Sequence, residues 1–290
     1  MIRTNWRTLI LALIMTVLLP MPTLTQVYKE ALQSGRTYYI GPSGSDTADG
    51  LSTTTAFRTM KHASDIAYHL DFNGQNVTWY LLEGYDGGGL EVIKTLGTTY
   101  GNLTIRPYPG NANPVTITDG VYDCGCGIAV KVPQLGAISI AGGNMLRIDA
   151  PGAIMALAPS LVTFENLEIA AGVLHLVAHS GGRIHATGPY AVSGGAYTHI
   201  DVQKRGEVEV RDTTWTFTNS PTFTTAFAVV KSHGHLISYG MTQVGNVSGL
   251  RAFVDSFGVL ETAGNPSALP GTSPVVVATN SDGTLVGVVR

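Results

Sequence analysis

From about residue 36 onward the chain is built of short apolar–polar alternations separated by Gly, Pro or Asn. Period-2 segments bounded by turn residues mark half-buried β-strands. Residues 37–40, 77–82, 103–106, 115–118 and 128–132 read this way. One segment departs from the pattern. Residues 57–70 are apolar at 57, 60, 63, 66, 67 and 70, which predicts a helix over 57–70. Thr53, Thr54 or Thr55 can supply its N-cap.

The second half repeats. Gly182-Arg183-Ile184-His185, Gly206-Glu207-Val208-Glu209, Gly234-His235-Leu236-Ile237 and Gly258-Val259-Leu260-Glu261 align, with glycines 24, 28 and 24 residues apart. Gly152-Ala153-Ile154 reads as an earlier member. Short strands precede the later glycines at 175–178, 199–202, 226–230 and 252–254, and a Thr-rich one follows at 213–218. A period of 20–30 residues with two or three strands per unit predicts stacked coils, because no unit buries its apolar face alone. Val, Ile, Leu and Phe are expected to point inward, and Thr, Ser and His outward.

Composition narrows the function classes. Glycine accounts for 35 of 290 residues and charged residues for 13 %, about half the usual share, with a net charge of -3. This excludes a disordered chain and a coiled coil, and the lack of a basic excess argues against a nucleic-acid partner. Residues 9–19 (LILALIMTVLL) follow Arg3 and Arg7 and admit two readings. One is a signal-like segment. The other is a buried helix ended by Pro20, followed by a second helix over 25–33 with Val27, Ala31 and Leu32 on one face.

Candidate chemistry is sparse. Glycoside hydrolysis needs two carboxylates about 5–9.5 Å apart. Glu209 and Glu261 share an offset, but Ile237 stands between them, so no ladder of acids is expected and the chain leans away from an enzyme. Of the histidines, His175, His179, His185, His199, His233 and His235 fall together, and His233 and His235 are expected on one strand face. A metal would need a third ligand, and neither metal nor cofactor is expected. Asp46 to Gly50 reads as a turn with Asx caps. Trp79, Tyr80, Tyr85, Tyr100, Tyr108 and Tyr122 are candidates for sugar stacking, with packing as the equal alternative. Cys124 and Cys126, the only cysteines, cannot build a two-pair zinc site, and a bridge over one residue demands strained geometry. Two free thiols, or an inter-subunit disulfide, are the readings that follow.

Tyr38-Tyr39-Ile40-Gly41-Pro42-Ser43-Gly44-Ser45-Asp46, Asp49-Gly50-Leu51-Ser52 and Ala56-Phe57-Arg58-Thr59-Met60 resemble the opening motif of pectin-lyase-like right-handed parallel β-helix proteins. Val247-Ser248-Gly249, Arg251-Ala252-Phe253-Val254, Gly258-Val259-Leu260 and residues 265–272 resemble tail-appendage proteins of bacteriophages and prophages, as does the leader over 18–32. The resemblance implies an all-β solenoid with four segments. These are an attachment or assembly segment over 1–35, an N-terminal cap over 36–75, a β-helix over 76–264 and a Gly/Pro-rich tail over 265–290. It further implies a homotrimeric tail or collar fibre or spike on the virion. Residues 1–35 would meet other tail, collar or baseplate proteins, and the body would attach to host surface polysaccharide. A secreted polysaccharide lyase or hydrolase and a bacterial surface adhesin are the alternatives.

Overall fold

The computed structural model describes residues 29–96, 100–118, 120–121, 125–134, 136–170, 172–278 and 287–290. The chain winds as a right-handed parallel β-helix. Its coils lay strands into ten-, nine- and six-stranded parallel sheets, and a small two-stranded sheet joins Glu30–Ala31 to Leu70–Asp71. One coil shows the plan. Leu174–His179 lies in the nine-stranded sheet, Arg183–Ala186 in the ten-stranded sheet and Tyr190–Val192 in the six-stranded sheet; Ala196–Val202 then begins the next coil beside Leu174–His179.

Alternation sorts the side chains. In the ten-stranded sheet Val77, Leu103, Ile138, Val162, Ile184, Val208, Leu236 and Leu260 stand in register as one inward column, each at most 2 % exposed. Branched and aromatic side chains suit this position because they pack flat on the pleat. Identical inward positions meet about every 4.8 Å up the coil, so each rung buries the one before it.

The repeat glycines have a steric cause. His179, Gln203, Lys231 and Asp255 each accept a hydrogen bond from the backbone N–H three residues on, at 2.8–2.9 Å. The two residues between take positive φ in every case, among them Lys204, Arg205, Ser232 and His233. These are tight turns of the I′ kind. The residue closing each turn is Gly182, Gly206, Gly234 or Gly258, and a Cβ there would sit 2.0–2.3 Å from a carbonyl oxygen of the rung below. Upstream the alignment fails. Gly152 pairs with Cys126 and Leu174 in the nine-stranded sheet, so it is not an earlier member of the series. The true equivalent is Ser160, since Leu161 pairs with Arg183, and its turn is built differently, with Ala158 at positive φ before Pro159.

At the N-terminal end the helix is shorter than expected, Met60–Tyr68, and Thr59 caps it by accepting from the His62 N–H. Asp46 accepts from the Arg58 and Thr59 backbones and from the Thr59 hydroxyl, which fixes the helix start. Asp49 accepts from the Leu51 N–H, the Asx turn expected there. Residues 9–19 lie outside the described residues, but Glu30–Ala31 is a strand, which corrects the helix expected over 25–33 where it can be seen. Among the described residues no helix is long and apolar enough to cross a membrane.

Candidate functional site

The outward face of the ten-stranded sheet carries the most distinctive chemistry. Near the N-terminal cap, alternation places Tyr38 and Trp79 inward, so Tyr39 and Tyr80 point outward and stand in register one rung apart. Tyr108 closes a three-ring cluster with them, at centroid separations of 5.7–5.8 Å. The Arg106 guanidinium lies 6.0 Å from the Tyr80 centroid. Tyr39, Tyr80 and Tyr108 are half-buried and Arg106 is exposed. Edge and tilted packing holds such rings still while leaving part of each face to solvent. Beside them runs a hydroxyl column of Thr37, Thr78, Thr104, Ser139 and Thr163, in which the last two hydroxyls are 2.8 Å apart.

The stacking candidates divide accordingly. Trp79 is 0 % exposed, an inward core residue, and cannot touch an external sugar. Tyr85 is buried as well. Its hydroxyl accepts from the Met60 N–H and donates to the Gly88 carbonyl, and burial pushes it up to about 12. Tyr100 is 80 % exposed and stands apart from the ring cluster. Tyr108 belongs to the cluster; Tyr122 lies outside the described residues. Tyr80 belongs to the cluster as well, and Tyr39, absent from the stacking candidates, is legible in principle, since it sits between two inward positions of its own strand. Cys126 is buried and disulfide-bonded, which corrects the expectation of two free thiols. Cys124 lies outside the described residues.

On the rung after Thr163 the same face becomes ionic. Arg183, Glu207, His235 and Val259 form one outward column, and His185, Glu209, Ile237 and Glu261 a second. Ile237 does separate Glu209 from Glu261, yet the two columns interleave. His185 Nε2 lies 3.1 Å from Glu207 Oε1 and 3.5 Å from Glu209 Oε2. His235 faces Glu207 with Nδ1 at 3.7 Å and Glu261 with Nε2 at 3.1 Å. Arg211 pairs with Glu209, and Arg290 Nε with Glu261 at 3.2 Å. The acids are therefore assembled through histidines, which a reading of one column at a time misses. His233 does not share a face with His235. It sits in the tight turn and stacks on Phe257, with ring centroids 5.2 Å apart.

Two histidines expected outside are in the core. His175 and His199 are each 0 % exposed. Their Nδ1 atoms are 2.8 Å apart, and His199 Nε2 lies 2.8 Å from the Tyr190 hydroxyl. Phe223 packs on both rings, and Trp215 and Phe227 pack on His199. A shared Nδ1–Nδ1 bond needs one bare nitrogen, so at least one ring is neutral. Burial, then the neighbouring His175, holds His199 well below the usual histidine range, and burial raises Tyr190 well above the usual phenol range.

A groove of about 550 Å³ runs over the six-stranded sheet, beside Arg147, Glu168 and Ala191. Its charges are self-paired. Arg147 reaches Glu168 at 2.6 Å and Asp149 at 3.0 Å, and the Ser193 hydroxyl donates to Glu168. On the ten-stranded sheet, the facing oxygens of Glu207 and Glu209 both lie within 4.8 Å of each other and of the same histidine nitrogen, tighter than the spacing glycosidases use. Neither place offers a free acid opposite a free base. No protein-family profile, curated protein or solved structure matches the chain.

Proposed function

We propose that this chain is a non-enzymatic attachment protein, a rigid β-helical tail or collar appendage of a bacteriophage that recognises surface glycan. The observation that carries the glycan part is the Tyr39–Tyr80–Tyr108 cluster beside exposed Arg106. Rings fixed by mutual packing offer flat apolar area with hydroxyl edges at little entropic cost, which suits a sugar ring and its hydroxyls. The adjoining Thr and Ser column extends a hydrogen-bonding track along the solenoid axis. The virion part rests on the resemblance of residues 247–272 to tail-appendage proteins, and the homotrimer comes with it.

The test is binding of the purified chain to bacterial surface polysaccharides, wild type against the double variant Tyr39→Ala/Tyr108→Ala, with reducing ends assayed in the same mixtures. Binding without new reducing ends, weakened about tenfold or more in the variant, supports the reading. New reducing ends would replace it with the lyase or hydrolase alternative. No binding to any surface polysaccharide would sink it. Light scattering in reducing buffer tests the trimer, which should weigh about three times the 30.5 kDa chain.

A further inference from the structure

The histidine-linked acids are not equivalent. At His235 two ring nitrogens each face one carboxylate. At His185 a single nitrogen, Nε2, faces two. A ring nitrogen carries at most one hydrogen, so one Nε2–H cannot serve both oxygens with good geometry. From this convergence we propose that His185, Glu207 and Glu209 form a binding site for one divalent first-row metal ion of the Zn²⁺ type. The proposal does not depend on the glycan reading.

The distances fit. Zn²⁺ binds histidine nitrogen and carboxylate oxygen at about 2.0–2.2 Å, so the edges of its tetrahedron are about 3.4 Å. The two nitrogen–oxygen separations here are 3.1 and 3.5 Å, and all three ligand atoms lie within 4.8 Å of one another. Each carboxylate turns one oxygen to His185 and the other to a basic neighbour. Glu209 Oε1 pairs with Arg211, and Glu207 Oε2 faces His235 Nδ1 at 3.7 Å. Such outer partners orient metal ligands and hold each carboxylate to one coordinating oxygen. The charges also match, since two carboxylates and a neutral imidazole balance a dication. All three side chains are partly open to solvent, at 15–28 %, which leaves room for a water as fourth ligand. Because His185 and the two glutamates come from adjacent rungs in fixed register, the ion would clamp one coil to the next.

The experiment uses the untagged full chain stripped with EDTA. Zn²⁺ is titrated by calorimetry, and Co²⁺ is followed in the visible. The expected results are one Zn²⁺ per chain, intense Co²⁺ bands of four-coordinate type, and a rise in the thermal midpoint with Zn²⁺. His185→Gln and Glu209→Gln should each weaken Zn²⁺ at least tenfold, and His233→Gln in the exposed turn should leave it unchanged. No Zn²⁺ binding, or binding that survives both ligand variants, overturns the site. So does loss in His233→Gln alone. Should the ligand variants not fold, the wild-type Co²⁺ spectrum decides, and weak six-coordinate bands would overturn the assignment.

Discussion

The outward face of the ten-stranded sheet is two surfaces on one scaffold. Over the first rungs it offers Tyr39, Tyr80, Tyr108 and a column of hydroxyls, beside the exposed guanidinium of Arg106. Over the last rungs it offers His185, Glu207, Glu209, His235 and Glu261, closed by Arg211 and Arg290. The inward column beneath both is the same run of Val, Leu and Ile. Fold and surface are thus written on alternate residues. The inward set is constrained by the rung on either side, whereas the outward set is free to change character within a single step, as from Thr163 to His185. The difference is also one of discrimination. Rings and hydroxyls meet a neutral polar ligand, and paired histidines and carboxylates meet a cation.

The strongest way to break this comparison is to remove the scaffold under one half only. Gly206→Ala puts a Cβ about 2.0 Å from the Ala178 carbonyl oxygen. It should destabilise the chain by about 3 kcal/mol or more, read as a lower urea midpoint. An unchanged midpoint would show that the turn glycines are not sterically required.

Next in size is the pH response of the core beneath. His199 is held well below its unfolded range, so between those two values the unfolded chain binds the extra proton. Stability should be level above about pH 6.5 and fall as pH drops below it, by up to about 1.4 kcal/mol per pH unit. Urea midpoints at pH 7.5 and 5.5 check this, and equal values would contradict a neutral His199.

Smaller still is the tyrosine cluster. Tyr80→Ala removes two ring contacts and should cost about 1–2 kcal/mol beyond the lost area. Its effect on saccharide binding should exceed its effect on folding, and the reverse ranking would make the cluster a packing device. Least is Thr163→Val, which deletes one side of the 2.8 Å hydroxyl pair with Ser139. A loss of about 0.2–1 kcal/mol is expected in the same urea assay, with Zn²⁺ affinity untouched.

Much of the solenoid was visible in the sequence because its strongest constraint is local. The aligned glycines at 182, 206, 234 and 258 do occupy one register column, and the strand over 252–254 falls where its alternation puts it. The extrapolation to Gly152 failed because the preceding coil closes with Ser160 and a different turn. The helix began at Met60 rather than at 57 because Asp46, far back in the loop, fixes the start at Thr59. His175 and His199 were misplaced for a similar reason. Polarity argues for the surface, but a histidine whose nitrogens find partners in Tyr190 and another histidine can be buried. The sites were harder. A ring cluster or a His–Glu–Glu convergence needs the rung-to-rung register, and that is set by coils of unequal length.

That inequality has a consequence for how such a molecule is inherited. Between Gly206 and Gly234 the coil is 28 residues rather than 24. One of the four added residues falls between Val210 and Trp215, two between Phe217 and Phe223, and one at the register shift opposite Ala196–Thr198, so all later positions regain their places. Lineages can therefore lengthen this rod by duplicating whole coils, or decorate it at the corners between strands. A single-residue insertion inside a strand is open to them only as a bulge of the kind opposite Tyr197, since otherwise it would turn the core outward from that point on.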